Sequence, residues 1–219
     1  MIEAGKRVEI IDIVDEFRDL SQCNAVYLLA AIGLIAALYS VADLTGSAAA
    51  NLVPSLVVSI LGQFLVVERL LKDRLPGGRG YRRYGSIFGS GLLSGVGILF
   101  GLLALIVPAI FLTARWSVAV PAIVAENRTA TESLTISWER TAASKVQLSL
   151  IYFVGLVVWG GSMWLSIAVL AGASLVNALL LNALGNALVS GVAVLGWVLS
   201  VAVYRCVTPA TNHFDEVFA

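Results

Sequence analysis

Residues 108–126 read Pro108-Ala-Ile-Phe-Leu-Thr-Ala-Arg115-Trp116-Ser-Val-Ala-Val-Pro121-Ala-Ile-Val-Ala-Glu126. One arginine, one tryptophan and two prolines sit inside the longest apolar tract of the front half of the chain. That tract, Tyr84 to Ala125, is 42 residues long with Arg115 as its single charge. As one helix it would measure about 63 Å at ~1.5 Å per residue, about twice the hydrocarbon thickness of a bilayer. It has to double back. Pro108 breaks a helix and restricts the residue before it, so it is the expected turning point. A third span over 86–107 and a return segment over 109–125 follow, the latter either crossing fully or re-entering.

Working outward, the other charge-free runs are Ser21–Ala42, Leu44–Val67 and Val146–Tyr204. Each reaches or exceeds the ~20 residues that cross a bilayer as helix. Hydrophobic residues make up 59% and charged residues 13% of the chain, too few charges to cover four such runs in water. Spans are expected at 24–42, 49–69, 86–107, 109–125, 147–171 and 184–205, with an uncharged outer connector near Gly172–Leu184. The fold class is therefore an all-α, polytopic six-helix transmembrane bundle with amphipathic interfacial helices.

Basic residues concentrate on one side. From Glu68 to Arg83 there are six basic residues against two acidic ones, and Arg128, Arg140, Lys145 and Arg205 fall at the same end. The positive-inside rule makes that end cytoplasmic, with both termini there. A five-crossing arrangement would carry Arg128, Arg140 and Lys145 outside. Residues 1–22 are expected to form a cytoplasmic amphipathic helix, with Ile10, Ile13 or Val14, Phe17 and Leu20 on its apolar side and its acidic side docked on the basic loop, the alternative being a short solvated helix that leads into the first span. Residues 23–207 make the membrane domain and 208–219 a cytoplasmic tail. Thr129-Ala-Thr-Glu132 has capping-box spacing and opens a second surface helix. Cys23 and Cys206 both fall at the cytoplasmic end, where no disulfide is expected.

Ser86, Ser90 and Ser94 recur every fourth residue and continue into Gly97 and Gly101, with Gly85, Gly89, Gly91 and Gly95 at the same spacing. Small residues at that interval let helix backbones approach closely in lipid, so the third span is expected at the centre of the bundle.

A charge inside a membrane is costly, which singles out Arg115. The structural expectation is a guanidinium snorkelling to the outer interface with Trp116 as an anchor beside it. The functional one is a contact with an anionic solute or lipid headgroup. Asp43, at the outer end of the first span, is the expected ion-pair partner. Glu126 and Glu68 mark the inner boundary, while Gln63, Asn177, Asn182 and Asn186 are expected to hydrogen-bond between helices. His213 is the one histidine and lies in the tail, so no histidine-based metal site or triad is expected in the spans. No nucleophile elbow or Walker loop occurs, and Gly78-Arg-Gly-Tyr is a weak phosphate cradle. No cofactor and no catalysis are expected, and a net charge of zero gives no case for nucleic acid.

An apolar helix ending in Pro108, followed by Ala114-Arg115-Trp116, Ala119-x-Pro121 and Glu126, resembles the core signature of the YciC-like bacterial membrane proteins. The membrane domain attached to some glycerophosphoryl diester phosphodiesterases shares it. Ser137-Trp138, Val203-Tyr204-Arg205 and the apolar tail Phe214–Ala219 fit the same pattern. Where the family commonly has glycine, this chain has Ala109 and Asn127. The resemblance implies a six-helix inner-membrane protein with no assigned activity, and membrane lipid or a membrane protein as partner. It implies an accessory or scaffold role in the cell envelope, in which Arg115, Trp116, Pro121 and Glu126 determine a bent return segment. The alternative is a small transporter or channel whose broken segment lines a polar pathway.

Overall fold

The computed structural model describes residues 8–44, 48–75, 80–104, 106–171 and 175–208. Among these residues every regular element is a helix. The order is α1 (Ile10–Cys23), α2 (Ala25–Asp43), α3 (Ala48–Leu70), a 3-10 turn (Lys72–Arg74), α4 (Tyr84–Ala104), α5 (Ile106–Arg115), α6 (Ala119–Glu126), α7 (Ala130–Arg140), α8 (Lys145–Ala171) and α9 (Leu175–Val207). Six stretches are long and apolar enough to cross a membrane, with α5 and α6 together forming the fourth, Ile106–Glu126. The chain is an all-α, multi-pass membrane protein.

The doubling back occurs, but not at Pro108. Helix α4 ends at Ala104 and α5 has already begun at Ile106, which makes Pro108 the third residue of the return helix. The first turn of a helix has no intrahelical acceptors for its N–H groups, so a proline there removes a donor that would be unused. Pro121 is likewise the third residue of α6. Each proline lies in the first described turn of its helix, and the break before Pro121 is at Trp116–Val118.

Gly101 lets the α4–α5 hairpin close. A Cβ on Gly101 would lie 3.0 Å from the Ala109 nitrogen and 3.2 Å from the Pro108 carbonyl carbon, both backbone atoms that cannot swing away. Gly101→Ala is expected to lower stability by about 1–3 kcal/mol through overpacking. Gly95→Ala, whose Cβ would meet nothing within 4 Å, serves as control. Thermal unfolding in detergent checks the order. Of the small-residue stripe, Ser90 and Gly101 are buried and Ser86, Ser94 and Gly97 half-buried, whereas Gly85, Gly91 and Gly95 face open space.

Helix α9 starts at Leu175, inside the stretch expected as an outer connector. Residues 175–184 are mostly Leu and Ala with no Gly or Pro, and two asparagines each cost only a fraction of a kcal/mol in helix. The connector is correspondingly shorter than expected, and residues 172–174 lie outside the described residues.

Helix α1 buries Ile13 and Leu20, while Ile10 remains exposed. It packs mainly on α9. Its acidic side is held at Glu16, which pairs with Arg205 at 3.1 Å, and just before the helix the Val8 N–H donates to Ser144 Oγ at 2.8 Å. The loop after α3 joins through Asp73, which pairs with the same Arg205 guanidinium. Docking is thus on the end of α9, with the basic loop as a second neighbour.

Burial is concentrated at the charged end. In α3 the buried side chains are Phe64, Val66, Val67 and Leu70, all in its last two turns; in α9 they cluster from Val194 to Val207. Toward the other end the helices expose Leu99, Phe100, Leu103, Trp164 and Ile167, as lipid-facing helices do.

Candidate functional site at a break in the fourth span

Between α5 and α6 the backbone leaves the helical ladder for Trp116–Val118. The Ala119 N–H, which in a continuous helix would bond the Arg115 carbonyl, instead donates to Trp116 at 3.2 Å. Proline at 121 has no N–H for the Ser117 carbonyl. The break therefore orphans the Arg115 and Ser117 carbonyls and the Val118 N–H, all in a region without water to satisfy them.

Hydroxyls from distant helices fill all three places. Ser137 Oγ of α7 donates to the Arg115 carbonyl at 2.7 Å and accepts from the Val118 N–H at 3.2 Å. Thr141 Oγ1 lies 3.2 Å from the same Arg115 carbonyl and 2.7 Å from the Ser137 carbonyl, sharing its one proton between them, and Ser200 Oγ of α9 donates to the Ser117 carbonyl at 2.6 Å. Ser137 and Thr141 are fully buried. The surface helix α7 is thereby pinned to the break. Its own start carries the expected capping box, with the Thr129 N–H donating to Glu132 at 3.0 Å. That bond holds the Glu132 carboxyl below its ordinary range, so its contribution to α7 is present at neutral pH and lost as the pH falls through the folded-state value.

Arg115 does not snorkel outward. It is 5% exposed, with its guanidinium 4.3 Å from the centre of the Trp138 ring and 5.9 Å from that of Phe111. Among the described residues no carboxylate comes within ion-pair distance, and Nε and Nη1 have no hydrogen-bond acceptor. Cation–π contact on a tryptophan face offsets part of the desolvation of this charge. Asp43 is not its partner: Asp43 Oδ2 accepts from Asn182 at 2.9 Å and Asn186 at 2.8 Å, joining α2 to α9. The side chain of Asn177 lies outside the described residues. Trp116 packs inward, where a Cβ on Gly97 would come within 2.6 Å of its ring.

Glu126 ends α6 and is a hub. Its carboxylate accepts from both terminal guanidinium nitrogens of Arg140 and from the Tyr204 hydroxyl at 2.8 Å, and Arg128 Nε stands 3.6 Å away as an ion pair. Three elements, α6, α7 and α9, meet on this one side chain. Arg140, Tyr204, Ser137, Thr141 and Ser200 were not singled out as site residues from the sequence. Ser137 and Tyr204 enter the sequence reading only through the family resemblance, and nothing local distinguishes Arg140, Thr141 or Ser200. The Glu68 carboxylate accepts from the Gly80 N–H at 2.8 Å, so that amide is taken; the remainder of the glycine-rich loop, 76–79, and His213 lie outside the described residues.

Asn127, just after Glu126, has φ of +56°. A left-handed residue ends the helix there, which glycine or asparagine tolerates and other residues do not. Asn127→Gly should leave unfolding within about 0.5 kcal/mol of the parent, whereas Asn127→Val should cost about 1–2 kcal/mol by the left-handed penalty. Chemical unfolding in micelles reads both.

Beside the break lies a cavity of about 210 Å³. Gln63, Ser90, Ser94, Thr113, Ser117 and Ser200 contribute to its wall, and none of its lining residues carries a charge. Arg115 points away from it, into the aromatic cluster.

No family model, curated protein or solved structure matches this chain.

Proposed function

We propose that this is a non-catalytic protein of the bacterial cytoplasmic membrane, of the YciC-like type, with an accessory, lipid-associated role and both termini in the cytoplasm. The clamp at Glu126 carries the reading. The carboxylate that ends the fourth span is engaged by two helices at once, and Arg205 is engaged in parallel by Glu16, Asp73 and the Leu70 carbonyl. Charges held in this way fasten α1 and α7 onto the span ends as a rigid cap, which suits presentation of a surface to lipid or a membrane-protein partner.

A second reading, a small transporter or channel, is favoured by one observation, the polar cavity at the break. Its uncharged wall suits a neutral solute better than an anion. Cysteine scanning of 109–125 with a membrane-impermeant thiol reagent separates the two. Labelling confined to the segment ends supports the accessory role; labelling at Thr113, Ser117 and Val120 makes the break part of a water-filled path.

A further inference from the structure

An apolar groove of about 460 Å³ opens between α1, α5, α8 and α9, walled by residues such as Phe17, Ile110, Val158, Trp159 and Leu195. It has an inner wall in common with the polar cavity, because Thr113, Tyr152 and Gly196 line both. The Tyr152 hydroxyl is buried there beside the Ser117 hydroxyl, without a hydrogen bond of good geometry. An unpaired buried hydroxyl is costly, and its presence between an apolar and a polar space points to a missing ligand group.

The hydroxyls of the polar cavity define that group. Those of Ser90, Ser94, Thr113 and Ser117 each donate to a carbonyl of their own helix, and Ser200 donates to Ser117. What they still offer is acceptor lone pairs. Tyr152 and the Gln63 amide offer donors. The complementary head is a hydroxyl, which donates and accepts at once. A phosphate or carboxylate only accepts, and it would bring a charge to a wall that holds none.

From these facts we infer that the groove and cavity form one binding site for a neutral, single-chain amphiphile with a hydroxyl head, its alkyl chain in the groove and its head beside Tyr152. The site specifies the lipid-associated reading above and rests on it. A groove of this volume is within the range of pockets that enclose small molecules, about 300–1,000 Å³.

Gly196 and Gly155 provide the test, since Gly155 lines the groove, Gly196 lines both spaces, and a Cβ at either would meet nothing within 4 Å. The full chain in detergent micelles is titrated with monooleoylglycerol and read by native mass spectrometry. The parent should bind one molecule saturably. Tyr152→Phe should weaken binding about 3- to 10-fold, the loss of one hydrogen bond. Gly196→Leu should abolish it, and Gly155→Leu gives the same reading if that variant does not fold. Monooleoylglycerol phosphate, with the same chain and a charged head, should bind at least about 10-fold more weakly. Parent-like binding by folded Gly196→Leu or Gly155→Leu, or equal binding of the phosphate, would overturn the site. If Gly196→Leu still carries the parent's co-purifying lipids while cysteine labelling stays confined to the segment ends, this site fails and the lipid-associated role stands. Labelling through the break overturns that role instead.

Discussion

Glu126→Gln lowers the unfolding free energy in mixed micelles by about 2–4 kcal/mol, somewhat less than a fully buried pair because both partners retain slight exposure. The loss comes from what stays behind. Arg140 is 22% exposed in its side chain and Glu126 19%, so the guanidinium keeps most of its desolvation with its partner gone. The Tyr204 hydroxyl then faces an amide in place of a carboxylate. Tyr204→Phe removes only one bond and should cost about 1 kcal/mol. The decisive measurement is a cycle with Arg140→Gln. If the clamp exists, the double variant is less destabilised than the two single losses added, with a coupling of at least about 1 kcal/mol. Additive losses would mean that Glu126 and Arg140 act separately and that α7 is not held by this pair.

The second large effect is at the break itself. Ser137→Ala orphans the Val118 N–H and leaves the Arg115 carbonyl to Thr141 alone, an expected cost of about 1–3 kcal/mol. Adding Thr141→Val, which keeps the shape and removes the remaining hydroxyl, strands the carbonyl as well and should bring the total to about 3–5 kcal/mol. Ser200→Ala has a distinctive signature. It strands the Ser117 carbonyl only because residue 121 lacks an N–H. In a Pro121→Ala background the backbone can supply that donor, so the same Ser200→Ala change should cost measurably less than the ~1–2 kcal/mol expected in the parent. An equal cost in both backgrounds would show that Ser200 does not answer the proline.

Much of the fold is legible without coordinates because its cause is local. A bilayer demands about 20 apolar residues per crossing whatever the neighbours do, and charge-free runs of that length can be counted. The 42-residue tract that cannot cross once is the clearest instance. Capping at Thr129 is equally local: it depends on a few adjacent residues and one backbone conformation.

What the sequence alone left open, or placed wrongly, depends on distant groups. In sequence Pro108 marks the turning point, yet a proline is as comfortable in the first turn after a break as at the break. Only the closure of α4 on α5 through Gly101 decides which. Arg115 was expected to reach outward toward Asp43. Instead it turns to Trp138, which the return of α7 brings within reach. The hydroxyls that satisfy the broken backbone lie between 19 and 83 residues away along the chain. Hydrophobic length is thus a property of a segment and can be read from it. The satisfaction of a freed carbonyl, or of a buried cation, is a property of whichever helices tertiary packing sets beside it.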